Sequence, residues 1–190
     1  MAKKRKKQHW RQDNLRLRKD HNWRAKPGYK IFVADRGAVR FDFPENWLME
    51  MSESGSVKFH DVPPPDDDCL LEVSVMHLNP NVDWSGVPLA EFLADIVEND
   101  PRALMEQGEI VTVQRPGAQI VWTEGRFVDT TQEDRAARAR LCLALGSNIQ
   151  TIITMDLWEN DLERFGPVWD EVLASLRIAE YVADPKLGPI

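Results

Sequence analysis

The fold is decided by residues 139–157, ARLCLALGSNIQTIITMDL. The first half of this stretch carries an apolar side chain at every second position: Ala139, Leu141, Leu143 and Leu145. A period of two is typical of a β-strand with one buried face. Gly146-Ser147-Asn148 then provides turn residues, and residues 149–157 predict a returning strand. The stretch therefore predicts a β-hairpin.

The segments before this hairpin predict further strands. Residues 110–114 and 119–127 form a second predicted hairpin, because the turn between them contains Pro116 and Gly117. Three earlier segments also have strand-like alternation or composition: residues 39–43, 57–59 and 70–78. The sequence therefore predicts a sheet built largely from neighbouring, antiparallel strands.

Two segments have apolar residues at helical spacing. The first runs from about residue 88 to 98, and the second opens at Pro167 and ends near Arg177. Proline suits the first position of a helix because its missing N–H would lack a partner there. The order of strands, helix, four strands and helix predicts an α+β fold, with a mainly antiparallel sheet and two principal helices packed on it.

The charges of the 190-residue chain are distributed unevenly. Residues 1–30 hold twelve Lys or Arg and two Asp, and the remainder holds twelve basic and 29 acidic residues, a balance of −17. Dense like charge and few aliphatic residues predict that residues 1–30 form a disordered basic arm. Residues 31–178 then form the folded domain, and residues 179–190, with two prolines and a glycine, are expected to be a loosely held tail.

Composition and motifs argue against catalysis. The chain has neither a Gly-rich phosphate loop nor a Gly-x-Ser-x-Gly elbow. His60 and Asp61 are adjacent on a predicted strand, so their side chains face opposite sides and do not converge on a substrate. The four His and two Cys lack zinc-ligand spacing. We therefore expect a protein that is not an enzyme and holds no cofactor or metal. No stretch resembles a signal peptide or a membrane span, so we expect a cytoplasmic protein.

An acidic surface is the first candidate for function. Six residues are candidate contacts for a basic protein partner: Asp66, Asp67, Asp68, Trp84, Asp95 and Glu98. The three aspartates follow a run of prolines in a stiff acidic loop, and Trp84 lies beside acidic neighbours at the end of an element, where an aromatic residue can anchor a partner. The sequence therefore predicts a protein-interaction module.

The basic arm is the second candidate. Its candidate contacts for a polyanion are Lys3, Lys4, Arg5, Lys6, Lys7, Arg11, Arg16, Arg18, Lys19 and Arg24. Trp10 and Trp23 are interleaved with these charges, and together they supply the groups that hold phosphate backbones and stack on bases. The alternative hypothesis is therefore contact with RNA, DNA or the ribosome. A nuclear-import signal, an intramolecular cover on the acidic body and a solubilising tail are also open.

Two motifs resemble the Mog1/PsbP-like domain family. Residues 39–47, VRFDFPENW, resemble its opening strand and Pro-x-x-Trp turn, and residues 165–177, FGPVWDEVLASLR, are similar to its closing helix. The resemblance covers about residues 38–178 and implies a three-layer α/β/α sandwich around an antiparallel sheet. It also implies a binding role, since some members engage a small GTPase and others sit on the photosynthetic water-oxidising complex. Neither set of functional residues can be matched to positions here.

Overall fold

The structure is a computed structural model that describes residues 15–102, 104–131 and 134–189. Over these residues the chain forms eleven strands and two α-helices. In chain order they are β1 (Tyr29–Ala34), β2 (Val39–Pro44), β3 (Leu48–Met51), β4 (Val57–His60), β5 (Cys69–His77), α1 (Leu89–Glu98), β6 (Leu104–Gln107), β7 (Val111–Arg115), β8 (Ala118–Asp129), β9 (Arg135–Gly146), β10 (Ile149–Trp158), α2 (Leu162–Ser175) and β11 (Arg177–Ile178).

The main sheet has eight strands and is antiparallel throughout. Its order is β3-β4-β5-β10-β9-β8, and β6 and β7 both pair with the outer side of β8. The predicted hairpin at its centre is confirmed, with Ile149 opposite Gly146 and Trp158 opposite Ala137. The second predicted hairpin is β7–β8, closed by the turn at Pro116 and Gly117. The α+β fold class is therefore confirmed.

The two faces of the main sheet are covered by different layers. On one face lie α2 and a second sheet, β1-β2-β11, which bury an apolar core that includes Phe41, Phe59 and Trp169. On the other face lies α1. Strand β9 contributes side chains to the core on both faces of the sheet, because Cys142 faces the α2 side and Leu143 faces α1. The result is the three-layer α/β/α sandwich that the resemblance implies.

The α1 layer is smaller than the layer opposite. Leu89, Leu93 and Val97 are buried against Val121, Leu143 and Leu145. These partners belong to β8 and β9, and α1 packs mainly on those two strands. A ten-residue helix is only about 15 Å long and about 10 Å wide, so it cannot cover an eight-stranded sheet. The neighbouring strands on this face are left only partly covered.

The start of α2 differs from the prediction. The helix begins at Leu162, so Pro167 lies inside it. Phe165 lies in the additional first turn and is 2% exposed. Its ring packs edge-to-face on Trp47, with the two ring centroids 5.9 Å apart. We attribute the early start to this burial, which outweighs the one backbone hydrogen bond that proline removes.

The ends of the described chain are packed more closely than the predicted arm and tail. Residues 1–14 lie outside the described part, but Trp23 is 7% exposed and its indole N–H donates to the carbonyl of Pro185 at 2.8 Å. Val182 is also buried, and its backbone N–H donates to the carbonyl of Arg36 at 2.8 Å. The two terminal segments thus cover apolar surface together.

Candidate functional site

The acidic loop predicted as a protein contact is folded around buried polar groups. Asp61 is buried and accepts the backbone N–H groups of Asp68 at 3.0 Å and Cys69 at 3.1 Å. Its other carboxylate oxygen lies 3.0 Å from Nη2 of Arg164. These contacts hold the loop that precedes β5, so Asp61 has a structural role.

The charges of this loop are partly compensated. Asp67 lies 2.9 Å from Nδ1 of buried His60, and Asp68 lies 3.5 Å from Arg164 and 4.0 Å from Arg135. Asp66 is exposed. The loop also precedes β5 while Trp84 follows it, and a nine-residue strand separates its ends by roughly 30 Å. The structure therefore does not bring Asp66–Asp68 together with Trp84.

A groove with a volume of about 970 Å³ lies beside α1. One wall is α1, and the other is the segment of residues 78–88 that connects β5 to α1. Leu143, Leu145 and Ile152 contribute to its floor from β9 and β10. The groove lies where the small α1 layer leaves the sheet uncovered.

The walls of the groove carry exposed apolar side chains. Phe92 and Ile96, one helical turn apart on α1, are 47% and 42% exposed, and Val82 on the opposite segment is 45% exposed. Large apolar side chains clustered in one groove, rather than scattered singly, mark a binding surface. The indole N–H of Trp84 donates to the carbonyl of Asn79 at 2.9 Å, which fixes the segment that forms this wall.

Carboxylates border the groove. Asp83 and Asp95 contribute to its two walls. The Ser85 backbone N–H donates to Asp83 at 3.0 Å and lowers the pKa of that carboxyl, so Asp83 stays ionised at neutral pH. Glu91 and Glu98 are exposed elsewhere on α1. The groove is therefore apolar inside and negative at its border.

Lysine and arginine are absent from this part of the sequence. Residues 59–101 contain neither lysine nor arginine, and they contain ten acidic residues. These are Asp61, Asp66, Asp67, Asp68, Glu72, Asp83, Glu91, Asp95, Glu98 and Asp100. The first cation that follows, Arg102, is paired with Asp100 at 2.7 Å and with Asp156 at 3.0 Å. The α1 surface therefore keeps a negative field.

Two of the six predicted contact residues meet at this groove. Trp84 and Asp95 both line it, while Glu98 is exposed on α1 without lining it. The sequence-based candidates did not include Phe92, Ile96 and Val82, which also line the groove. The sequence of α1 did contain a signal for two of them, because its apolar stripe is wider than the three residues that the helix buries.

The predicted polyanion contacts fall in two groups. Lys3, Lys4, Arg5, Lys6, Lys7 and Arg11 lie outside the described residues. Arg16, Arg18, Lys19 and Arg24 are exposed. Arg18 lies 3.7 Å from Asp184, and Arg24 donates to the carbonyl of Trp23 at 2.8 Å. Arg18 therefore links the two terminal segments, whereas the contact of Arg24 is local to its own segment.

His60, Asp61 and Cys142 do not form a catalytic arrangement with one another. His60 contacts Glu50 and Asp67, while Asp61 contacts Arg164 and the loop backbone, so the two side chains diverge as predicted. Cys142 is fully buried, which raises the pKa of its thiol to about 12 and keeps it protonated.

Over the residues that the structure describes, no group of three or more potential ligands is placed to hold a metal ion. In the same residues, no helix has the length and hydropathy needed to cross a membrane.

Solved structures with the same fold support its assignment. Cyanobacterial PsbP from Synechocystis sp. PCC 6803 matches with a TM-score of 0.56 at 14% identity, over 81% of this chain and 94% of that one. The Ran-binding protein Mog1p of Saccharomyces cerevisiae matches with a TM-score of 0.50 at 11% identity, over 79% of this chain and 95% of that one. The fold is therefore Mog1/PsbP-like, as the two sequence motifs predict.

Sequence comparison identifies the family. A protein of Nostoc sp. (strain PCC 7120), "Uncharacterized protein alr1449", is 49% identical over 189 residues, which cover 99% of this chain and 97% of that protein. The model of the Alr1449 family matches residues 30–182. The chain therefore belongs to the Alr1449 family.

Proposed function

We propose that this protein is a non-catalytic, cytoplasmic interaction module that binds a basic protein partner through the surface formed by α1 and residues 78–88. One observation carries the proposal: an open apolar groove is bordered by Asp83 and Asp95 in a part of the chain without lysine or arginine. Such a surface attracts a cationic partner and disfavours an anionic one.

Other observations support the proposal. Mog1p, which has the same fold, is a Ran-binding protein, so the fold serves protein binding in that case. The divergent contacts of His60 and Asp61 and the protonated, buried Cys142 favour a binding role over an enzymatic one. Two free, buried cysteines are typical of a protein from a reducing compartment, which supports the cytoplasm.

The experiment compares partner recovery by three full-length forms of the chain. The first is the wild type, the second carries Asp83→Asn with Asp95→Asn, and the third carries Glu163→Gln with Asp170→Asn on α2. Glu163 and Asp170 are exposed, so the third form changes the net charge equally on another surface. We expect the wild type and the α2 variant to recover the same basic protein, and the groove variant to lose it. Equal recovery by all three forms would refute the proposal.

The alternative function, tethering to RNA, DNA or the ribosome, rests on the basic arm. Its supporting observation is that the described arm residues Arg16 and Lys19 are exposed. The same recovery experiment separates the two functions when it is repeated with nuclease. If nuclease releases everything that the wild type binds, and the groove variant binds as the wild type does, the arm is the functional element.

A further inference from the structure

The outer layer of the sandwich has room for a second helix beside α1. Leu143, which packs on α1, pairs with Ile152, and Ile152 pairs with Ser74 on the next strand. Directly paired residues lie on the same face of a sheet, so β10 and β5 continue the surface on which α1 packs. Ile152 and Ser74 are only partly buried there. The groove is the space between this surface, α1 and residues 78–88.

The strands under the groove are already paired on both sides. Strand β10 lies between β5 and β9, and β5 lies between β4 and β10. An extended peptide in the groove would find no free strand edge, so its own backbone N–H and C=O groups would gain no ladder hydrogen bonds. A helix satisfies its backbone internally and needs only side-chain contacts. The position of the groove therefore favours a helical occupant.

The groove also determines which side chains such a helix needs. Phe92 and Ile96 lie one helical turn apart and form an exposed apolar ridge along α1. Such a ridge packs between apolar side chains that have the same spacing on a partner helix. Asp83 and Asp95 would meet basic side chains that flank this apolar stripe. An acidic helix would meet like charges at both positions.

We propose that the groove binds one amphipathic helix of a partner protein, with a narrow apolar face and basic flanks, which completes the outer helical layer. This inference rests on the proposed function and specifies the partner's chemistry at the same surface. It predicts that apolar periodicity in the partner, and not positive charge alone, determines affinity.

The test uses two 18-residue peptides of identical leucine and lysine composition. In the patterned peptide the leucines recur at i, i+3, i+4 and i+7, and in the dispersed peptide they are spread around the helix. Binding to the full chain is measured by fluorescence anisotropy at peptide concentrations where sedimentation shows a monomer. We expect the patterned peptide to bind the wild type at least about tenfold more tightly than the dispersed one, because only it buries apolar surface in the groove.

Two pairs of substitutions separate this inference from the proposed function. Phe92→Ala with Ile96→Ala retains the charge and the helix propensity of α1, and both side chains are exposed, so the fold is retained and circular dichroism checks it. We expect this pair to reduce binding of the patterned peptide to the level of the dispersed one. Asp83→Asn with Asp95→Asn should weaken both peptides. If the alanine pair changes nothing while the asparagine pair weakens both, the helical inference is wrong and the proposed function stands.

Two other occupants of the groove are outcomes of the same experiment. If replacing Lys3, Lys4, Arg5, Lys6 and Lys7 by Gln in the full chain tightens binding of the patterned peptide about tenfold or more, the chain's own arm occupies the groove and the partner helix is refuted. If the wild type is a dimer in solution and Phe92→Ala with Ile96→Ala makes it a monomer, a second copy covers the groove and the inference is likewise refuted.

Discussion

The packing of Trp23 tests whether the folded unit includes residues that precede β1, which begins at Tyr29. The side chain is 7% exposed, and its ring lies against Gly188, where an added Cβ would come within 3.0 Å of the indole. The guanidinium of Arg40 lies 5.8 Å from the ring centroid. These contacts belong to a folded region, and they contrast with the disordered arm that the charge pattern predicts.

The expected cost of Trp23→Ala follows from the buried area. A tryptophan this buried removes about 200 Å² from water, which at ~25 cal/mol per Å² gives an upper bound of about 5 kcal/mol. Because the terminal segments can partly relax around the gap, we expect a loss of about 3 kcal/mol in the free energy of unfolding. Trp23→Phe should lose less, since it retains most of the packing and removes only the hydrogen bond to Pro185.

The assay is urea unfolding of the full chain, followed by far-ultraviolet circular dichroism at pH 7. Leu15→Ala is the matched control, because Leu15 precedes Trp23 in the same segment and is 48% exposed, so its loss should stay within about 0.5 kcal/mol. If Trp23→Ala loses no more stability than this control, residues 15–28 are not part of the folded unit and the terminal packing described above is wrong.

Three further predictions concern stability and binding. Gly146→Ala should lower the free energy of unfolding by roughly 1–3 kcal/mol, because the new Cβ would lie 2.9 Å from Ile178. Gly86→Ala, which has open space around it, should change stability in urea little. Equal effects of the two substitutions would contradict the packing described. Burial alone would raise the pKa of Glu124, but hydrogen bonds from arginines, including Arg140 at 2.6 Å, outweigh burial and lower that pKa. The ionised Glu124 therefore stabilises the fold above the pKa of the unfolded state, and this stabilisation is lost as the pH falls through the folded-state pKa. Glu124→Gln should therefore flatten the acid side of a stability profile measured between pH 7 and 3, and an unchanged profile would refute this. Affinity for the patterned peptide should fall as salt rises, since the groove border is ionised; salt-independent binding would exclude an electrostatic contribution.

Local signals were sufficient for the central part of the fold. The hairpin of β9 and β10 combines a period of two with turn residues at Gly146-Ser147-Asn148, and both signals act within one short stretch. The same holds for β7 and β8. In contrast, β3, β6 and β11 are two to four residues long and exist because a neighbouring strand pairs with them. Pairing between distant segments leaves little trace in local periodicity.

The candidate site could be predicted only in part for the same reason. Charge pattern indicated Asp95 as a surface residue, and position at the end of an element indicated Trp84. Whether Phe92 and Ile96 are core or surface depends on how many strands α1 covers, which periodicity alone does not determine. The loop at Asp66–Asp68 shows the opposite case. Its sequence predicts an exposed acidic patch, but the salt bridges of Asp68 with Arg135 and Arg164 compensate part of that charge.

The most direct test of the central claim is to locate where a basic amphipathic helix contacts this protein. Uniformly ¹⁵N-labelled full-length chain is titrated with the patterned leucine–lysine peptide, and amide chemical shifts are followed residue by residue. The account predicts that the largest shifts cluster in residues 78–99 and in 143–152, which form the walls and floor of the groove. Largest shifts in residues 16–30 or along α2, with the groove unchanged, would contradict it.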